Sequence, residues 1–147
     1  MGTMHLIKLC VGVDTLEELV VWQAMRLETF RKAGAPEELI HRTRQTPRRG
    51  EEVVKSGSLY WVIKGFVRAR QRIVELRELT DAEGRGLCGI VLDSALIATR
   101  SQPRRPFQGW RYLKPEDAPT DLGSAQAMAE DDMPPAMRAE LMELALL

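Results

Sequence analysis

The amino-acid sequence predicts one α+β domain, built on a small, mostly antiparallel β-sheet or barrel, with a helix after the first strand and a short C-terminal helix. Three observations predict this class. The 147 residues are 44% hydrophobic and 29% charged, as in an ordinary globular domain. One N-terminal segment places its apolar residues at helical spacing. Residues 66–79 alternate apolar and polar side chains with the two-residue period of strands.

The first strand and the first helix have clear sequence signals. Residues 5–13 alternate in the manner of a strand with one apolar face. Thr15 and Glu18 then have the spacing of a capping box, which predicts the start of a helix. Gly34 and Pro36 predict that this helix ends near residue 33.

Two shorter elements follow the helix. Residues 39–45 are predicted to form a strand that places Arg42 and Arg44 on one face together with Ile40. Pro47 ends that strand, and residues 49–55 are predicted to form one or two helical turns.

The centre of the chain is rich in β-branched and aromatic residues, which favour strands. Gly65 and residues 81–86 are predicted turns, and Asp93 and Ser94 are predicted to separate two short strands. The strands predicted here are residues 58–64, 66–79, 87–92 and 95–99.

The C-terminal part divides the chain into a domain and a tail. Residues 102–113 are predicted to be irregular, residues 123–133 to form a polar linker, and residues 135–147 to form an amphipathic helix. The predicted organisation is one α+β domain over residues 1–122, followed by an acidic linker and C-terminal helix over residues 123–147.

The net charge of zero conceals an uneven distribution of charge. Residues 1–112 carry 19 bases and 13 acids, whereas residues 113–147 carry two bases and eight acids. A basic body attracts polyanions, and an acidic tail can compete with them for the same surface. An ordinary solvated surface is the alternative explanation.

No catalytic, metal or targeting signature is present. Ser56-Gly57-Ser58 does not match the hydrolase nucleophile motif, and only His41 is placed for acid–base work. Cys10 and Cys88 lie in apolar runs and are predicted to be buried thiols. We therefore predict no metal, no cofactor and no catalytic residue. The N-terminus lacks a signal peptide and no apolar run could span a membrane, so a cytoplasmic protein without membrane contact is expected.

Arginines and aromatic residues occur together in two acid-poor segments, and this combination predicts a binding site for single-stranded nucleic acid or an extruded base. Arginine forks contact phosphate, aromatic rings stack on bases, and an amide reads a base edge. Trp61 is predicted to lie in the core, whereas Trp110 fits the core and the site equally. The predicted site residues are Arg42, Arg44, Arg104, Arg105, Phe107, Gln108, Trp110 and Arg111.

Four stretches of the chain resemble an uncharacterised alphaproteobacterial family, the domain of unknown function 1489 (DUF1489), over roughly residues 4–122. The stretches are residues 5–12 (HLIKLCVG), 58–65 (SLYWVIKG), 70–71 (RQ) and 105–113 (RPFQGWRYL). This resemblance implies no activity. The order of strand, helix and barrel-forming strands is more distantly similar to the PUA-like group, which includes ASCH and EVE domains. That resemblance implies a small barrel that binds RNA or modified bases in a cleft, although the acidic tail is not part of the pattern.

The leading hypothesis is therefore a PUA-like module that binds RNA, DNA or a modified nucleotide. The alternative is a protein-interaction or dimerisation module, in which the Pro-Phe-Gln-Gly-Trp loop at residues 106–110 and the C-terminal helix form a homo-oligomer or partner surface. A third possibility is an enzyme that acts on a small metabolite or nucleotide.

Overall fold

The structure is a computed structural model that describes residues 3–132. These residues form seven strands, three helices and one 3-10 turn. The strands are β1 (His5–Leu9), β2 (Leu39–Thr43), β3 (Ser58–Ile63), β4 (Phe66–Thr80), β5 (Gly86–Pro103), β6 (Trp110–Leu113) and β7 (Asp121–Ser124). The helices are α1 (Leu16–Lys32), α2 (Gly50–Ser56) and α3 (Ala125–Asp132), and the 3-10 turn is Pro115–Asp117.

All seven strands belong to one sheet in the order β2-β5-β4-β3-β1-β6, with β7 paired to β5. Every pairing is antiparallel except that of β1 with β3, which is parallel. The predicted α+β class with a mostly antiparallel sheet is confirmed, and the sheet is open rather than a closed barrel. The Trp110 indole, on β6 at one edge, donates to the carbonyl of Gln45, which follows β2 at the other edge (2.8 Å). The sheet is therefore curled, and its two edge strands approach each other.

Helix α1 fills the inner face of the curled sheet. It begins where the sequence predicts, because the Thr15 hydroxyl accepts from the Glu18 amide and the Glu18 carboxylate accepts from the Asp14 amide, both at 3.1 Å. The buried apolar side of α1 packs on residues from β1 to β6 to form the main core. Its largest fully buried members are Leu6, Leu19, Val53, Leu59, Ile63, Ile73, Cys88, Ile90 and Leu96.

A second, smaller core lies on the outer face of the sheet. The chain from residue 104 to residue 120 crosses this face, and Phe107 and Ala118 pack against it. Successive strand residues point to opposite sides, so the residues that alternate with the main core are buried here. They are Ile7, Tyr60, Val62, Val67 and Leu113.

Several elements differ from the sequence prediction. The two strands expected at residues 87–92 and 95–99 are one continuous strand, β5, because the Asp93 carboxylate accepts from the Ala95 amide (2.8 Å) and residues 93–95 form a bulge in β5 between the pairings of Gln71 and Ile73 on β4. Residues 102–113 were expected to be irregular but contain β6. The boundary predicted after residue 122 falls inside β7.

The short C-terminal helix is confirmed by α3, which occupies residues that were expected to be a linker. Ala125, its first residue, is fully buried in the main core, and Met128 packs against that core. The helix predicted over residues 135–147 lies outside the described residues. No helix within residues 3–132 has both the length and the apolar character to cross a bilayer.

Candidate functional site

A small pocket lies where α1 crosses the inner face of the sheet, beside β2, β3 and β5. Its central space is about 30 Å³, roughly the share of one water molecule in the liquid. Aromatic, basic and amide groups converge on this space, which is the composition expected of a site for a flat polar ligand. The side chains that supply these groups are Trp22, Gln23, Arg26, His41 and Trp61.

A hydrogen-bonded amide pair links the pocket to the core, because one of its members, Gln23, lines the pocket. Gln71 is fully buried, and it exchanges two hydrogen bonds of 2.8 Å with Gln23. Its Oε1 also accepts from the Trp61 indole (2.9 Å), and its Nε2 donates to the carbonyl of Asp93 (3.1 Å). Gln71 therefore holds α1, β3 and β5 in register around the pocket.

His41 contributes an unpartnered nitrogen to the pocket wall. Its ring packs edge-to-face on Trp61, with centroids 5.2 Å apart, and its buried Nε2 has no hydrogen-bond partner among the described residues. Burial lowers the pKa of His41 to about 4, with further contributions from the positive charges of Lys8 and Arg26. The imidazole is consequently neutral at pH 7 and offers hydrogen bonds without charge.

This lowered pKa predicts acid sensitivity. An unfolded chain protonates His41 near its ordinary value of 6.5, whereas the folded protein does not until about pH 4. The free energy of unfolding should thus fall as the pH drops from 6.5 to 4, and His41 should account for about 3 kcal/mol of that loss. Urea unfolding of the wild type and His41→Phe across this range measures the difference. Equal losses in the two proteins would contradict the burial of a neutral imidazole.

Two cations stand beside the pocket without acidic partners. Lys8 lies in register with Trp61 on β3 and with Trp110 on β6, on the inner face that it shares with Leu6. Arg26 lies over the ring of Trp22, with 4.9 Å from its guanidinium carbon to the ring centroid. Among the described residues, no salt bridge involves Lys8 or Arg26.

Trp110 is placed differently from the stacking role predicted for it. The side chain is 7% exposed, and its indole is bonded to the backbone after β2 and packed on Tyr112, with centroids 4.9 Å apart. The sequence allowed Trp110 to lie either in the core or in the binding site, and in the structure it lies in the core. A ring buried in this way has no free face for a base.

The other residues of the predicted loop site lie on the outer side of the sheet. Phe107 packs on the second core, and Arg111 lies over its ring at 5.4 Å. Arg111 also donates to the carbonyl of Gln108 (2.7 Å), whose side chain is exposed. The apolar side of the loop thus packs on its own sheet. In the interaction hypothesis, this apolar surface was predicted to contact a partner.

The remaining predicted arginines are dispersed. Arg42 is exposed and alternates with His41, so it faces away from the pocket, as expected from the strand pattern. Arg44 pairs with Asp81 at 2.8 Å. Arg104 is half-buried and donates to the side chain of Gln102 (2.6 Å), whereas Arg105 is exposed. The structure therefore does not place the predicted site residues together on one surface.

The sequence prediction missed the residues of the pocket. Trp22 was assigned only to the border of the apolar side of α1, although it is 48% exposed. Gln23 was the one signal available, because it is an amide at a position of the helix where the periodicity requires an apolar residue. Nothing in the sequence indicated that α1 and β2 would bring Trp22 and His41 together.

A wider groove of about 740 Å³ lies near the end of the β4–β5 hairpin. Its lining includes Arg44, which is already paired with Asp81, and Leu79 and Leu87. None of the described residues that line it is aromatic. We regard the smaller pocket as the candidate site because aromatic side chains and polar groups without a partner among residues 3–132 meet in its lining.

Comparison with known proteins gives a family. The sequence matches the model of a family described as "Protein of unknown function (DUF1489)" over residues 6–147. No curated protein and no solved structure matches the chain. Since the family model covers nearly the whole chain, the protein belongs to the DUF1489 family.

Proposed function

We propose that this protein binds a nucleobase, carried by a nucleic acid or by a modified nucleotide, in the pocket between α1 and the sheet. The observation that carries the proposal is the meeting of an exposed indole (Trp22), a neutral imidazole with an unpartnered nitrogen (His41) and a cation (Arg26) in the pocket lining. A second cation, Lys8, lies in register with Trp61 of that lining. Stacking planes next to cations are what proteins use to hold unpaired bases. We include in this proposal the distant similarity to PUA-like domains that was inferred from the sequence. The order of strand, helix and curled sheet supports that similarity.

In this proposal a base stacks on Trp22 in place of Arg26. The guanidinium now covers the exposed ring, and such a cation–π contact contributes about 0.5–1 kcal/mol at an exposed position. Stacking a base on an aromatic side chain contributes about 1–3 kcal/mol. The exchange therefore favours the base, and movement of the exposed Arg26 enlarges a pocket that now has room for little more than water.

The polar wall of the pocket can read one edge of such a base. The Nε2 atom of His41 is free to bond, and the Gln23 amide nitrogen has a second hydrogen beyond the one that it donates to Gln71. Both groups are held in place, His41 by Trp61 and Gln23 by the amide pair. A fixed pair of polar groups selects a ligand by its hydrogen-bonding pattern.

Basic residues continue from the pocket around one end of the sheet. Lys8 pairs with the first residue of β6, and the loop before β6 begins where the Arg104 amide donates to the carbonyl of Gly65 (2.8 Å). Arg104, Arg105 and Arg111 thus lie near the same end of the sheet as Lys8, although on its outer side. This arrangement supports contact with the phosphates of a strand whose base enters the pocket.

The decisive substitution is Trp22→Ala. We expect it to lower the affinity for short single-stranded RNA or DNA about tenfold or more, because it removes the stacking plane. Fluorescence anisotropy with labelled oligonucleotides at low salt, followed by a salt titration, measures the change.

Met25→Ala is the matched control, because Met25 is 38% exposed on the same helix but does not line the pocket. It should leave the affinity unchanged. Absence of binding by the wild type at low salt, or equal affinities of wild type and Trp22→Ala, would refute the proposed function.

A further inference from the structure

The position of Lys8 calls for a physical explanation. Lys8 lies on β1, between the strands that carry Trp61 and Trp110, and the residue is half-buried. Burial lowers the pKa of Lys8, since a charge withdrawn from water is unfavourable without a partner. Among the described residues, no acid supplies that partner.

Several other bases of the domain are paired with acids. Arg44 pairs with Asp81, Arg70 pairs with Asp121 at 2.7 Å, and Arg77 pairs with Glu38 and Glu75. Arg26, which lines the pocket, and Lys8, which is in register with Trp61 of its lining, form no such pair within residues 3–132. Their charges act together there, because both lower the pKa of His41.

We propose that Lys8 and Arg26 bind the phosphate group of a nucleotide whose base occupies the pocket. This inference rests on the proposed function and narrows it, since it makes a phosphorylated nucleoside, and not a free base or nucleoside, the ligand that the site takes. Lys8 provides a compact point charge, and Arg26 provides a planar fork of donors that suits phosphate oxygens.

Binding of the base and binding of the phosphate are coupled by a single movement of Arg26. When a base replaces the guanidinium on Trp22, the side chain of Arg26 is released from that ring, which lies one helical turn earlier on the same face of α1. The released guanidinium is then free to meet the phosphate that the base brings with it. Stacking and phosphate binding therefore favour each other.

Isothermal titration with ribonucleosides, with their 5′- and 3′-monophosphates, and with inorganic phosphate tests the inference. At low salt we expect at least one monophosphate to bind about tenfold or more tightly than its nucleoside, a difference of about 1.4 kcal/mol. Lys8→Met keeps the length and apolar character of the stem but removes the charge, so it should abolish that difference. Arg26→Gln should reduce the difference as well, and Lys32→Met, at the exposed end of α1, should have no effect.

The outcomes separate the two proposals. Equal affinities for nucleoside and monophosphate would overturn the phosphate subsite and leave the base pocket standing. A difference that survives in both Lys8→Met and Arg26→Gln would place the phosphate elsewhere and would also overturn it. If no nucleoside, monophosphate or oligonucleotide binds, the proposed function fails and this inference fails with it. Circular dichroism of each variant confirms that it is folded.

Discussion

Replacing Gly57 by alanine is expected to lower the free energy of unfolding by about 4 kcal/mol, more than most single substitutions do. Gly57 joins α2 to β3, where its amide donates to the carbonyl of Val53 (2.8 Å) and its carbonyl accepts from the Ile73 amide (3.0 Å). A Cβ atom on this residue would lie 2.6 Å from the Val53 carbonyl oxygen and would overlap with that of Met4. Backbone atoms cannot rotate away from such an overlap, so the helix or the first strand must shift.

Gly86→Ala is the matched control for this substitution. Gly86 begins β5, its φ is not positive, and a Cβ there would have no neighbour within 4 Å. Its effect should stay within about 0.5 kcal/mol. Urea unfolding of both variants measures the comparison. A Gly57→Ala protein as stable as Gly86→Ala would show that the junction between α2 and β3 is looser than described.

Replacing Gln71 by leucine is expected to cost about 4 kcal/mol of stability. The substitution leaves the Gln23 amide, the Trp61 indole and the Asp93 carbonyl without their partner in a buried region. Each buried polar group that loses its hydrogen bond costs about 1–3 kcal/mol, and the added apolar area returns only part of that sum. The free energy of unfolding in urea reports the loss.

Two further variants identify the cause of that loss. Gln108→Leu places the same change on an exposed side chain and should have almost no effect. The double variant Gln23→Leu with Gln71→Leu removes both members of the amide pair and should be more stable than the sum of the two single losses predicts. If the two single losses simply add, the amide pair is not a coupled unit.

Local signals in the sequence were sufficient for most of the elements. The capping box at Thr15 and the glycine at residue 34 bracket α1 closely, because the start and end of a helix depend on neighbouring residues. β6 and β7 were missed because each has four residues and depends on hydrogen bonds to a distant strand. Asp93 and Ser94 suggested a break between two strands. The strand continues through them because the Asp93 carboxylate accepts a hydrogen bond from the nearby Ala95 amide.

The site was less accessible to sequence analysis than the fold. The pairing of cations with aromatic side chains was the chemistry sought, and it occurs both at the loop before β6, where Arg111 lies over Phe107, and in the pocket, where Arg26 lies over Trp22. The loop attracted the prediction because its arginines and aromatic residues are adjacent in sequence. In the pocket the corresponding groups come from a strand and a helix, and only the curl of the sheet brings them near His41.

The pairing of β1 imposes an order on the assembly of this protein during its synthesis. β1 is hydrogen-bonded to β3 on one side and to β6 on the other, and within residues 3–132 it is the only strand that holds β6. Residues 5–9 leave the ribosome long before either neighbour, and such distant contacts form slowly because their ends must first meet. The nascent chain therefore carries a partly apolar strand with at least one unpaired edge until residue 113 has emerged, and in that interval that edge is open to chaperones or to aggregation.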